Sequence, residues 1–127
     1  MANQDTARSL HVVVVSDDPH IRDEARYGFP KDWTLSFADD AREVWPALRG
    51  DRPSVVVVDM QTGNAGGYAM ARSMSESTSL REVPVLILLE RPQDAWLART
   101  AGASTYRVKP LQPGELAATT RRLAAQN

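Results

Sequence analysis

The chain contains no cysteine, so neither a disulfide framework nor a thiolate metal site can be built from it. No dense run of Lys or Arg appears either, and the formal net charge is −1. The electrostatic footprint of a dedicated nucleic-acid binder is therefore missing, and no direct nucleic-acid partner is expected. Long apolar runs are also lacking: "VVVV" occurs twice and "VPVLILL" once, far short of the roughly 20 residues a bilayer span needs. The opening "MANQDTARSL" has no apolar h-region and reads as a polar tail over residues 1–9. No membrane association is expected, and the cytoplasm is the expected location.

What is present fits one folded domain. At 127 residues, a chain can bury roughly two-thirds of the surface its unfolded form exposes. Hydrophobic residues make up 43% and charged residues 24%, ordinary globular usage. Five short apolar runs, at residues 11–15, 33–37, 55–58, 85–89 and 105–108, read as strands. The first, third and fourth are nearly continuous in Val, Leu and Ile, the pattern of strands covered on both faces of a parallel sheet.

The segments between these runs carry helix signals. Asp18-Pro19 opens one helix, and Gly28 and Pro30 end it. In "FADDAREVWPALRGDRP", Asp39 or Asp40 offers a cap, Ala41, Val44, Ala47 and Leu48 follow at helical spacing, and Pro46 is expected to kink or shorten the helix. Tyr68, Ala71 and Met74 mark a third helix. Gly102 closes a fourth, and Leu116, Thr120 and Leu123 stripe the last. Five strands alternating with five helices predict right-handed βαβ units and a doubly wound α/β sandwich spanning residues 10–126.

In such a sheet the ligand site lies beyond the carboxyl ends of the strands. There the first run leads into Asp17-Asp18, the third into Asp59 and the fifth into Lys109-Pro110. Carboxylates crowded together require a cation or protons, and hard oxygen donors favour Mg²⁺. A carboxylate beside Mg²⁺ and a lysine can attack a phosphoryl group, and Asp59 is the best placed to do so.

The motifs "VVVVSDD" (residues 12–18), "VVVVD" (55–59), Gly67 eight residues beyond that aspartate, "VPVLILL" (83–89) and "AGASTYRVKPL" (101–111) together resemble the receiver domain of bacterial two-component response regulators. The resemblance implies a flavodoxin-like three-layer sandwich with strand order 2-1-3-4-5. It implies that Asp59 accepts a phosphoryl group from a sensor histidine kinase or phosphotransfer protein. It further implies that Asp17, Asp18, Asp59 and the Gln61 backbone carbonyl bind Mg²⁺, and that Lys109 contacts the phosphoryl group. The Lys109-Pro110 bond would be cis and Tyr106 would be the aromatic of the switch. Such a domain catalyses at most its own phosphorylation and dephosphorylation, and it signals by binding a downstream protein. A homodimer through the last two helices and the fifth strand, where Arg99, Arg107, Arg121 and Arg122 lie, is a further expectation. Because the domain accounts for the whole chain given, no attached effector domain is expected.

Three departures from the family pattern stand out. Aligned on Pro84, the hydroxyl residue that ends the fourth strand is replaced by Leu89, which has no hydrogen bond to donate to a phosphoryl oxygen. The following small residue is replaced by Glu90, whose bulk and charge are expected to hinder phosphoryl entry. The loop "MQTGNAGG" has Gly63 where the family commonly has proline. These departures keep open a receiver-like interaction module that works without phosphorylation. A flavin or nucleotide binder is disfavoured because the glycine-rich loop follows the third strand rather than the first, and no GxxxxGK[ST] occurs. A phosphatase of the aspartate-nucleophile type is disfavoured because Gln61 stands where its second aspartate would be. Trp33 and Trp45 are expected to be packing residues, and His11 and His20 to be structural; Trp96 and Leu97 are expected to pack their helix on the sheet, the alternative being that one of them is exposed as an interaction surface.

Overall fold

The computed structural model describes residues 9–40, 44–46, 48, 52–60 and 66–126. Its strands are β1 (His11–Val15), β2 (Thr34–Ala38), β3 (Val55–Asp59), β4 (Val85–Leu89) and β5 (Thr105–Val108). They form one parallel sheet in the order β2-β1-β3-β4-β5. The helices are α1 (Pro19–Gly28), α2 (Gly67–Glu76), α3 (Ala95–Thr100) and α4 (Glu115–Ala125), and residues 44–46 and 48 are helical between β2 and β3. Ala41, Ala47 and Gly63 lie outside the described residues. Among the described residues no helix is long and apolar enough to cross a membrane.

Successive residues of a strand point to opposite faces, and the valine runs show why both faces need cover. Val13, Val15, Val56, Val58, Val85, Ile87 and Leu89 pack with Met70 and Met74 of α2, Ala98 of α3, and Val44 and Leu48. Val12, Val14, Val55, Val57, Leu86 and Leu88 pack instead with Ile21 and Ala25 of α1 and Leu116 and Leu123 of α4. β3 and β4 are buried along their whole length, whereas edge strand β2 is partly exposed.

Three expectations need correction. The second strand begins one residue later than the apolar run suggested. Trp33 precedes it, its N–H bonded to the Pro30 carbonyl at 3.1 Å, and its ring lies 5.0 Å from that of Phe29. Trp96, for which packing was favoured over exposure, is 57% exposed, because Ala98 is the residue that α3 buries. β3 also runs one residue further than the apolar run, through Asp59. The ladder continues past it, with the Met60 N–H bonded to the Leu88 carbonyl at 3.0 Å.

Gly67 owes its identity to close packing. A Cβ there would stand 2.6 Å from Val58 Cγ1 and 2.7 Å from Met60 Sδ. This glycine lets the first turn of α2 rest directly on β3 beside Asp59. Alanine would gain about 1 kcal/mol of helix propensity but incur roughly 1–3 kcal/mol of overpacking. Gly67→Ala is therefore expected to lower the urea-unfolding free energy, with a shifted midpoint and an unchanged slope.

Candidate functional site

The carboxyl ends of β1, β3 and β5 converge, and each supplies one part of the site. β3 delivers Asp59, which is 0% exposed. Beyond β1, the Ser16 N–H bonds to the Ala38 carbonyl at 2.9 Å and so continues the ladder. Val15 pairs with Val58, so the next step of the register sets Ser16 beside Asp59. The Ser16 hydroxyl accordingly donates to Asp59 Oδ2 at 2.8 Å and accepts from the Asp18 N–H at 3.0 Å. Asp18 is the N-cap of α1, its Oδ1 accepting from the His20 N–H at 3.0 Å, with Pro19 in the first turn as expected.

β5 is followed by Lys109, whose N–H bonds to the Leu89 carbonyl at 2.8 Å and whose bond to Pro110 is cis. The Lys109 ammonium is the hub of the site. Its Nζ lies 3.0 and 3.1 Å from Asp59 Oδ1 and Oδ2, 3.2 Å from Asp18 Oδ2 and 2.8 Å from Glu90 Oε2. The lysine side chain is 11% exposed and that of Glu90 43%. A cleft of about 410 Å³ opens beside it, bounded by Asp18, Glu24, Glu90 and Lys109 with Ile21 and Leu111.

The charges hold one another in place. Burial works against the Lys109 ammonium, but Glu90, Asp59 and Asp18 outweigh it and raise the lysine's pKa above its ordinary value. Burial likewise pushes the Asp18 carboxyl upward, yet the His20 N–H and the Lys109 ammonium outweigh it and hold it below the ordinary 3.8.

Asp18, Asp59 and Lys109, singled out from sequence, are thus brought together. Asp17 is exposed and is not among the carboxylates that Lys109 contacts, and Gln61 lies outside the described residues. Leu89 is fully buried in the core, and Tyr106 packs half-buried against the same cluster. Two of the arginines expected at a dimer face have partners within the chain. Arg107 pairs with Glu115 at 3.5 Å, and the Arg121 guanidinium lies 5.5 Å from the Trp33 ring. Two contacts were not foreseen: the Ser16 hydroxyl on Asp59, and Glu90 pairing with Lys109. The first was available in the sequence, since Ser16 is the first residue past the "VVVV" run. Among the described residues no group of three or more acidic or imidazole side chains is close enough to hold a metal. Asp18 and Asp59 nonetheless form a hard-oxygen pair, and Mg²⁺ typically needs only one or two carboxylates and keeps its waters.

Residues 12–121 match the family model described as the response regulator receiver domain. The chain belongs to that family. The receiver is 28% identical over 117 residues to the response regulator MprA of Mycolicibacterium vanbaalenii, an alignment covering 90% of this chain and 50% of that protein. The chain thus spans about half the length of the MprA relatives it matches. Its fold superposes on the chemotaxis response regulator CheY4 of Vibrio cholerae with a TM-score of 0.82 at 22% identity, covering 91% of this chain and 98% of that one. It also superposes on the receiver domain of a sensor histidine kinase from Pseudomonas aeruginosa PAO1, solved with a magnesium ion coordinated in its active-site cleft. That match has a TM-score of 0.79 at 20% identity, over 92% of this chain and 98% of that one.

The two ends of the Asp59–Lys109 pair are not equivalent for stability. Lys109→Met removes the ammonium from three carboxylates and takes from the buried Asp59 its lysine partner, a loss on the order of 3–5 kcal/mol for a broken buried pair. Asp59→Asn leaves Lys109 paired with Asp18 and Glu90, and is expected to cost less in the same urea titration at neutral pH.

The pH dependence has a definite sign. Asp18 has a lowered folded-state pKa, so its contribution is fully present well above 3.8 and is lost as the pH falls below that value. Lys109 has a raised one, so its contribution persists through neutral pH and fades only in strong alkali. Thermal unfolding followed from pH 7 to pH 2 should show a steeper acid decline for the native chain than for Asp18→Asn.

Proposed function

We propose that this receiver takes up a phosphoryl group on Asp59 in two-component signalling, from the phosphohistidine of a sensor histidine kinase or a phosphotransfer protein. One observation carries the reading: a fully buried aspartate at the end of β3 with both carboxylate oxygens within 3.1 Å of a single lysine ammonium. A carboxylate oxygen of Asp59 would form the bond to phosphorus as the bond from phosphorus to the donor nitrogen breaks. The Lys109 ammonium, fixed on β5, would stabilise charge on the transferred oxygens. The Ser16 hydroxyl, bonded to Asp59 Oδ2, orients the nucleophile. Mg²⁺, where bound, would be held by Asp59, Asp18 and Asp17 with the Gln61 backbone carbonyl, and would neutralise phosphoryl charge. The receiver acts on no substrate beyond its own aspartate, and its output passes to a protein partner, with self-association through β5, α3 and α4 as one route. The P. aeruginosa receiver's magnesium supports the metal assignment by analogy.

A second reading, an interaction module that works without phosphorylation, is favoured by one observation. Leu89, where a hydroxyl would report the phosphoryl group, is buried in the core and has no donor to offer. In that case a partner would bind the chain equally with and without a phosphodonor.

The leading reading is tested by incubating the chain with Mg²⁺ and a small-molecule phosphodonor and measuring intact mass. The expected result is one phosphoryl addition that disappears in Asp59→Asn and after chelation of Mg²⁺. No addition, or the same addition in Asp59→Asn, would sink it.

A further inference from the structure

We propose that Glu90 is an internal competitor for the phosphoryl subsite, and that it slows uptake by occupying the ammonium a phosphoryl oxygen must reach. The inference rests on the phosphoacceptor reading of Asp59. An ammonium carries three N–H donors. Three carboxylates surround that of Lys109: Asp59, Asp18 and Glu90. A phosphoryl oxygen on Asp59 can therefore bond to Lys109 only by displacing one of them.

The structure identifies which one gives way. Asp59 is fixed on β3 at 0% exposure, and it is the nucleophile itself. Asp18 is tied down as the cap of α1 by the His20 N–H. Glu90 follows directly after β4, is 43% exposed on its side chain, and makes the shortest of the lysine's contacts at 2.8 Å. It has an open cleft into which to swing. Its negative charge also repels the incoming phosphoryl group, while Leu89 next to it supplies no compensating hydroxyl. Glu90 makes and breaks no covalent bond. As the Asp59 oxygen bonds to phosphorus and the donor's bond to phosphorus breaks, only the ion pair is exchanged.

The test compares initial rates of phosphoryl uptake from acetyl phosphate with Mg²⁺ at fixed ionic strength, read by intact mass, for the native chain, Glu90→Gln, Glu90→Ala and Glu24→Gln. A partly exposed ion pair contributes up to about 1 kcal/mol, and loss of the repulsion adds to it, so both Glu90 variants should gain roughly three- to tenfold. Glu24 borders the same cleft without touching Lys109, and its variant should stay within about twofold of the native rate. Nitrogen NMR of the Lys109 ammonium supplies a readout independent of phosphorylation, with its signal expected to move in Glu90→Gln. Equal rates in the native chain and the Glu90 variants, with Asp59→Asn silent, would overturn the competitor and leave the phosphoacceptor standing. Acceleration by Glu24→Gln as large as by Glu90→Gln would overturn it in favour of diffuse charge. Absence of uptake in every form would bring down both readings.

Discussion

A carboxylate without solvent is tolerable only where a cation answers it, and in this receiver that cation is Lys109. Its ammonium lies 3.0 and 3.1 Å from the two oxygens of Asp59. At such a distance and an effective dielectric of about 20, a unit pair attracts by roughly 5 kcal/mol, comparable with the several kcal/mol needed to desolvate each ion. The balance is close, so the neutral donor from Ser16 matters as well, because it satisfies Asp59 Oδ2 without adding charge. Had an acid stood at that position, one ammonium would face a fourth carboxylate in the same small region.

This balance dictates how accurately the sheet must be built. Asp59 and Lys109 are 50 residues apart in sequence, and they meet only because β4 spaces β3 from β5 in a fixed register. Asp59 pairs with Leu88, and Leu89 with Val108. A slip of one residue would turn Asp59 to the other face of the sheet. The uninterrupted burial of β3 and β4 prevents such a slip, since apolar residues on both faces must find their helices. The hydrophobic core is thus what delivers the charged site.

Most of this architecture was legible in the sequence, and the reasons are physical. Continuous runs of Val, Ile and Leu can be satisfied only by helices on both faces, and charges directly after such runs can lie only at the sheet's carboxyl edge. The boundary at Trp33 was harder to place. An aromatic next to "TLSF" has the apolar character of a strand residue, whereas its actual partners are Phe29 at the end of α1, just before it in the chain, and the Arg121 guanidinium of the distant α4. Trp96 misled for the opposite reason. A short helix buries very little, and here Ala98 satisfies α3 without the indole. Around the site, the helix start at Asp18 was legible from the proline after it, but the register also gives Ser16 the place beside Asp59 and leaves Asp17 in solvent.

Leu89 and Glu90 gain meaning from their position rather than their identity. Both stand at the end of β4, the strand between the one carrying Asp59 and the one leading to Lys109. A hydroxyl there would draw that strand end toward a phosphoryl group. Leu89 instead faces the core with Tyr106 and Val108, and commits the strand end to hydrophobic packing. At this edge the side chain left outside the core is the next one along the chain, 43% exposed. Glu90 is the residue so placed: it directly follows the fully buried β4, and its carboxylate is held by the Lys109 ammonium. Displacing it would release a negative charge next to Arg91, whose pairing with Asp94 bounds the short turn leading into α3 and the exposed Trp96. If Glu90 acts as proposed, what is exchanged at this edge of the sheet is an ion pair, because Leu89 brings no hydroxyl to it.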